Sequence, residues 1–324
     1  MKRIFAWASA IVLAVALLMP ATSQAQLLQQ PVKIVFPFAA GGGGDALTRL
    51  LAEELRIALN RNVVVENKTG AGGQAGTIEV VNAAPNGDTL LLTPIAPVVL
   101  HQNIYKNLRY DPIKDLKPVA LISDFEFAIA VGPAVPAKTL QELVAWMKAN
   151  PTKASYGTPG AGALPHFFGV LFSKAVGVEM VHVGYRGSAL ALVDLLSGQI
   201  PIMVTTTTDL LQNHNEGKIR ILATSDGKRS PLVPDVPTFK ELGYNIQGTA
   251  WYGMFAPAKT PDDIVNRYSK ILSDALATPA MKERLLKLGL YARGSTPEEL
   301  GKLQKEHAEL WKPAIEASGF KPGN

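Results

Sequence analysis

The 324 residues include no cysteine. That excludes a disulfide scaffold, a zinc–thiolate module and lipid attachment to an N-terminal cysteine. Charge is sparse: 18% of residues are charged against 47% hydrophobic, so a largely disordered polymer is excluded too. The formal charge of +5 falls to +3 once Lys2 and Arg3 are set aside as part of a leader. The remaining Lys and Arg form no run, and scattered charge does not make a nucleic-acid face. After the first 25 residues no stretch of 18 uncharged apolar residues occurs, so no later segment suits a bilayer crossing. With Gly 28 and Pro 23 the chain is not collagen-like, and its length suits about two domains with a sizeable core.

Catalytic signatures are missing as well. Gly41–Gly44 is not followed by Lys-Ser/Thr, so there is no nucleoside-triphosphate P-loop. Gly70-x-Gly72-x-x-Ala75, with Asp88 downstream, matches the dinucleotide fingerprint formally. It falls in the second strand–turn unit, however, and 77–84 is short for the crossover helix that fingerprint needs. His101, His166, His182, His214 and His307 show no metal-ligand spacing, and no Gly-x-Ser-x-Gly elbow offers a nucleophile. The acidic residues are too dispersed to nominate a catalytic pair. No metal and no cofactor is expected.

What is present begins with a leader. Lys2 and Arg3, the apolar stretch Ile4 to Met19, and Ser23-Gln24-Ala25 read as a secretory signal over 1–25 with cleavage before Gln26. The apolar stretch is shorter than a membrane anchor requires. The mature protein is therefore expected to be soluble and exported to the periplasm.

Short β-branched runs then alternate with helical periodicity. Strands are predicted at 32–36, 63–65, 89–93, 127–131, 154–156, 178–183, 200–204, 219–224 and 250–255. Leu47, Leu50, Leu51, Leu55 and Ala58 share one face of a helix ending near Asn60. Further helices are predicted at 139–149, 165–176, 188–197, 261–276, 279–288 and 297–317. This alternation defines an α/β fold with mainly parallel sheets. No Gly/Ser-rich tether divides the chain. Two lobes joined by several crossings are expected, with 127–131 and 248–255 as the crossing segments and a cleft between the lobes.

Three glycine-rich turns stand out. The first, Phe36-Pro37-Phe38-Ala39-Ala40-Gly41-Gly42-Gly43-Gly44-Asp45, joins a strand to an amphipathic helix. Four glycines allow close approach to the main chain, and the helix start offers unpaired N–H groups, a combination suited to a carboxylate or phosphate. Asp45 is placed to cap the helix. The second is Ser155 to Pro165, with Pro165 suited to a first helical turn; the third is Asn67 to Gly76. If the first and second turns lie in different lobes they face one another, and two helix N-termini would clamp one small anion. His166, beside the second turn, is a candidate ligand contact. Valine at Gly42 or Gly160 is expected to weaken binding by blocking backbone approach.

The residues Ile34-Val35-Phe36-Pro37-Phe38-Ala39-Ala40-Gly41-Gly42, with Asp45 and Arg49, resemble the opening of the Bug family. These are extracytoplasmic solute receptors of tripartite tricarboxylate transporters. Val64-Val65-Glu66-Asn67-Lys68-Thr69-Gly70-Ala71-Gly72-Gly73 is similar to its second signature. Ala84 to Leu90, Tyr110-Asp111-Pro112, His182 to Ser188, Arg229 to Thr238 and Phe255 to Pro261 extend the likeness from about Pro31 to the C-terminus.

The resemblance implies a type II periplasmic binding protein fold, an α/β architecture whose two lobes close on a central ligand cleft by a hinge. Lobe 1 would comprise 26–128 and 249–324, and lobe 2 would comprise 129–248. It implies a carboxylate held mainly by main-chain N–H groups and waters. Lobe 1 would supply Phe38, Ala39, Ala40, Gly41, Gly72 and Thr93; lobe 2 would supply Thr158, Gly160, Gly162 and His166, with Thr206 and Thr207 at a strand end. A monomer would capture the ligand and dock on membrane permease subunits, performing no chemistry.

Two departures from the family pattern bear on the ligand. Ala163-Leu164-Pro165-His166 is poorer in hydroxyls than the family's second-lobe turn, and Thr205 to Thr208 stands where an Asp or Asn is common. The first makes the site more apolar; the second, lacking an acidic group for an ammonium, favours a ligand without one: a di- or tricarboxylate, or an aromatic carboxylate. Two alternatives stay open, a ligand sensor for a membrane kinase and a secreted α/β enzyme.

Overall fold

The computed structural model describes residues 30–320. The expected signal peptide over 1–25 lies outside them, and no helix among the described residues is long and apolar enough to cross a membrane. From Val32 onward the described chain packs as one compact unit.

Its strands are β1 (Val32–Phe36), β2 (Val63–Asn67), β3 (Thr89–Pro94), β4 (Leu116–Val131), β5 (Ser155–Thr158), β6 (Val181–Gly184), β7 (Ile202–Thr206), β8 (Arg220–Thr224), β9 (Thr249–Pro257) and β10 (Tyr291–Ala292). The helices are α1 (Gly43–Leu59), α2 (Gln74–Val81), α3 (His101–Ile104), α4 (Leu140–Ala149), α5 (Leu164–Val176), α6 (Ser188–Ser197), α7 (Thr207–Asn215), α8 (Asp262–Ala277), α9 (Pro279–Lys287) and α10 (Pro297–Ser318).

The strands follow one path, β2-β1-β3-β9-β4-β7-β5-β6, with β10 and β8 attached to β4. Both ends of the path are parallel βα units: β1 pairs with β2 and β3, and β5 with β6 and β7. The centre is antiparallel, because β9 returns between β3 and β4, and β4 faces β7 and β8. The α/β architecture agrees with the sequence pattern; the antiparallel centre is an addition to it.

Why these segments form these elements is plain from burial. In β1, Val32, Ile34, Val35 and Phe36 are apolar and buried, as a strand covered on both faces requires, while Lys33 is partly buried and pairs with Glu66 and Glu79. In α1, Leu47, Leu50, Leu51 and Leu55 are buried at helical spacing, and Asn60 ends the helix in the left-handed region at φ 51°. Thr296 and Glu299 cap α10 reciprocally.

β4 is the element that organises the molecule. Leu116 to Glu126 pairs with β9, in the first half of the sheet. Phe127 to Val131 pairs with β7, in the second half. The expected crossing at 127–131 is thus the far end of a 16-residue strand. The other expected crossing, 248–255, belongs to β9 and stays within the first half. The return passes through the segment before β9, which Ser225 pins beside β4: Phe127 N–H donates to Ser225 Oγ at 3.0 Å, and Ser225 Oγ donates to Gly248 O at 2.6 Å.

Candidate functional site

The first turn runs from the end of β1 into α1. Two of its glycines, Gly43 and Gly44, lie inside the helix, so the N-cap is Gly42 and not Asp45. Asp45 instead reaches back one turn, accepting from Gly41 N–H at 3.0 Å while it pairs with Arg49 at 3.1 Å and Asn67 at 3.0 Å. Burial opposes ionisation of Asp45, but Arg49, the Gly41 N–H and the Asn67 amide outweigh it and hold the carboxyl below its ordinary range. Asn67 also donates to Phe38 O at 3.0 Å, so the β2 end ties down the β1 turn.

Of these glycines, Gly42, Gly43 and Gly44 make room for protein neighbours, while Gly41, Gly42 and Gly43 also line an outer groove. A methyl at Gly42 would meet Ser188 Oγ at 2.5 Å, one at Gly43 would meet Thr208 Cγ2 at 2.4 Å, and one at Gly44 would meet the Phe36 ring at 2.3 Å. Gly43 N–H, at the start of α1, donates to Asp209 Oδ1 at 2.9 Å, and Ala39 N–H donates to Arg186 O at 2.9 Å. The first turn therefore packs on α6 and α7, and its glycines do not oppose the second turn.

The second turn opposes the third. A methyl on Gly160 would lie 3.4 Å from Gly72 Cα and 3.6 Å from Phe38 Cε1; one on Gly72 would lie 2.6 Å from Ala161 O. Residues 70–73 all have positive φ, including Ala71 at 47°, a sparsely populated conformation for a residue with a side chain. Among the described residues, the N–H groups of Gly72, Gly160 and Ala161 meet no protein acceptor. Between the turns lies a cavity of about 30 Å³, lined by Pro37, Phe38, the Gly70–Gly73 turn, Pro159, Tyr185 and Arg186. A wider groove of about 600 Å³ runs along the far side of the first turn, past Gly41, Ser188, Asp209 and Lys287.

Behind the second turn sits a histidine pair. His166 and His182 stack with centroids 3.7 Å apart and rings 14° from parallel. His166 Nδ1 accepts from Gly162 N–H at 3.2 Å. Thr158 Oγ1 donates to Gly160 O at 3.2 Å and lies 2.7 Å from His182 Nε2, which puts the His182 proton on that nitrogen. Burial pushes His166 down to about 3, with the neighbouring His182 adding to it, and burial pushes His182 down to about 4, so both rings are neutral. They brace the turn.

The residues nominated from the sequence therefore separate. Phe38 and Gly72 line the cavity, and Gly160 abuts both beside it. Ala39, Ala40 and Gly41 lie along the first turn, Gly41 on the outer groove. Gly162 packs against Tyr105, and His166, 4% exposed, stands behind the turn. Thr93 is fully buried at the end of β3, with its hydroxyl donating to Pro94 O at 3.0 Å. Thr206 caps α7, and Thr207 is buried with its hydroxyl unpaired. Thr158 supports the turn from below. Tyr185, Arg186 and Asp209 were not nominated; the first two sit in a quoted family motif, whereas nothing near Asp209 in sequence pointed to Gly43.

The fold is that of a periplasmic binding protein of the Bug type. Residues 47–320 match the family described as tripartite tricarboxylate transporter family receptor, and the chain belongs to it. The periplasmic binding protein BugD is 36% identical with a TM-score of 0.86, the match covering 90% of this chain and 98% of that one. MatC from Rhodopseudomonas palustris, determined with bound malate, is 30% identical at a TM-score of 0.83, over 88% of this chain and 98% of that one. A second R. palustris protein, determined with adipate, is 26% identical at 0.88, over 91% and 99%. The family and these neighbours are solute-binding proteins, not enzymes.

Proposed function

We propose that this protein is a periplasmic receptor that captures a small organic carboxylate without an ammonium group and delivers it, as a monomer, to the permease subunits of a tripartite tricarboxylate transporter. The observation that supports this most is the pair of opposed turns, whose Gly72, Gly160 and Ala161 N–H groups have no protein acceptor while those of Gly73, Gly162 and Ala163 are paired. Oriented, unpaired amides, with Arg186 on the lining of the same cavity, favour a carboxylate by hydrogen bonding, local dipole and charge. Malate and adipate in the related structures favour an aliphatic dicarboxylate within that class.

A cavity of about 30 Å³ holds little more than a water, so the ligand enters with the lobes parted. Lobe 1 (26–128 and 249–324) and lobe 2 (129–248) then close about the strand junction at Phe127, Ser225 and Gly248. Each turn belongs to a different lobe, so only the closed form offers the carboxylate both sets of amides, and binding shifts the population toward closure. The leader over 1–25 would carry the chain to the periplasm.

Thermal melting of residues 26–324, refolded to strip any bound ligand, tests the reading. The panel is aliphatic and aromatic mono-, di- and tricarboxylates, with aspartate and glutamate as controls. A ligand at a hundred times its dissociation constant adds about 2.7 kcal/mol of apparent stability, a shift of several degrees. Malate or adipate should give that shift and the amino acids should not. Tighter binding of aspartate or glutamate than of their deaminated analogues would overturn the ligand class.

A further inference from the structure

We propose that Asp209 is a built-in latch: its carboxylate, carried on α7, takes the anion position at the N-terminus of α1 when the two halves meet. The receptor thereby populates a closed form before any ligand charge arrives, and the ligand carboxylate is confined to the opposed turns. The second clause rests on the function proposed above; the latch itself does not.

Asp209 Oδ1 accepts from Gly43 N–H at 2.9 Å across 166 residues of sequence. Gly43 is the first residue of a 17-residue helix, where the unpaired amides and the helix dipole together favour a negative charge. The carboxylate is aimed from its own side: Thr205 Oγ1 donates to Oδ2 at 2.7 Å, and Asp209 N–H donates to Thr206 Oγ1 at 3.3 Å. Among the described residues no Lys or Arg pairs with Asp209 within salt-bridge distance, so the α1 terminus is its electrostatic partner. The fit is close, because a methyl at Gly43 would strike Thr208 Cγ2 at 2.4 Å. Ala39 N–H to Arg186 O and Thr208 Oγ1 to Gly289 O, at 2.9 and 3.2 Å, also join the halves here. Both are neutral, and Asp209 contributes the charge-assisted bond of the three.

A receptor whose closed form is populated without ligand binds more tightly by that fraction, since apparent dissociation constants scale inversely with the competent population. The chain has no cysteine, so a spin label can be placed on each half without background. Lys282→Cys on α9 and Lys148→Cys on α4 are exposed positions for that purpose. Pulsed electron paramagnetic resonance on the ligand-free protein should give a short, closed population beside a longer, open one. Asp209→Ala should enlarge the open population, and Asp209→Asn, which keeps an acceptor but loses the charge, should enlarge it less. Gly43→Ala should open the protein by collision with Asp209 left in place. Circular dichroism confirms that each variant folds.

Calorimetric titration with malate and adipate should then show Asp209→Ala weakened about tenfold. An unchanged distance distribution in Asp209→Ala overturns the latch. Tighter binding by that variant overturns it too, because Asp209 would then be competing with the ligand for the same amide. If neither acid binds the parent protein, the proposed ligand class fails while the distance measurement still decides the latch.

Discussion

Gly72 and Gly160 abut each other beside the cavity, yet they do not tolerate change equally. At Gly72 an added methyl would meet Ala161 O at 2.6 Å, and the backbone is held at φ 65°. A carbonyl cannot move aside as a side-chain tip can, and the left-handed conformation costs an L-residue roughly 1–2 kcal/mol. At Gly160 the same methyl meets Gly72 Cα at 3.4 Å, an ordinary contact, with no positive φ. Gly72→Ala should therefore weaken ligand binding at least about tenfold while the protein stays folded, and Gly160→Ala should change it by less than about threefold. Titration calorimetry with a carboxylate that stabilises the parent protein would measure both; equal losses would show that bulk in the cavity matters and the opposed carbonyl does not. The glycine clusters were legible in the sequence as sites of close approach. Which glycine meets a ligand, which a neighbouring helix and which merely turns the chain was not, because neighbours distant in sequence decide it, such as Ala161 against Gly72 and Thr208 against Gly43. Asp209 against Gly43 is the plainest instance.

At the scale of the element, β4 shows where sequence periodicity runs out. Its second part, Phe127 to Val131, is an apolar run and was predicted. Its first part contains Lys117, Pro118, Ser123, Asp124 and Glu126, which break the pattern; the register shifts between Pro118 and Ala120, the kind of irregularity at which strand prolines are tolerated. Glu126 ends the pairing with β9, immediately before the strand enters the second half. It is 2% exposed, and neither carboxyl oxygen has a hydrogen-bond partner. Burial pushes its pKa up to about 7; Ser230 nearby softens the effect and Asp226 adds to it. Asp124, paired with Arg293 at 3.3 Å, and Tyr291 lie on the same strand face. Between the unfolded value of 4.5 and about 7 the native state holds a proton that the unfolded chain has lost, so this group's contribution to stability declines as pH rises through that window. Glu126→Gln should remove the decline and raise the melting temperature above pH 7, by about 5 °C. A variant that melts with the parent at pH 8 would mean that the carboxylate is hydrated there and costs nothing.

Taken whole, the molecule alternates strand and helix closely enough for its fold class to be read from periodicity, because each βα unit buries its own apolar face locally. The return of β9 between β3 and β4 left no such mark, since an antiparallel and a parallel neighbour ask the same alternation of a buried strand. The buried histidines were equally hidden: their spacing excluded a metal site and said nothing of burial. Three of them now set the acid limit of the fold. His101 and His166 are pushed to about 3 and His182 to about 4, each chiefly by burial, against 6.5 when unfolded. As pH falls below 6.5 the unfolded chain takes up three protons that the native state refuses, and stability is lost. Glu126 opposes them by one proton down to 4.5, whereas the partly buried His214 and His307 shift in the same direction as the three. Asp124, also raised by burial, opposes them as Glu126 does, so the net uptake on unfolding near pH 5 is about one to two protons, equivalent to roughly 1.4–2.7 kcal/mol per pH unit. Melting curves from pH 7 to pH 4.5 should fall steeply, and His101→Phe, which keeps a ring against Tyr105, should reduce the slope by one proton. A parent protein with a flat profile over that range would mean that the histidine pair takes up protons in the native state. The second turn, which rests on Gly162 N–H to His166 and Thr158 to His182, would then have to come apart without unfolding the chain.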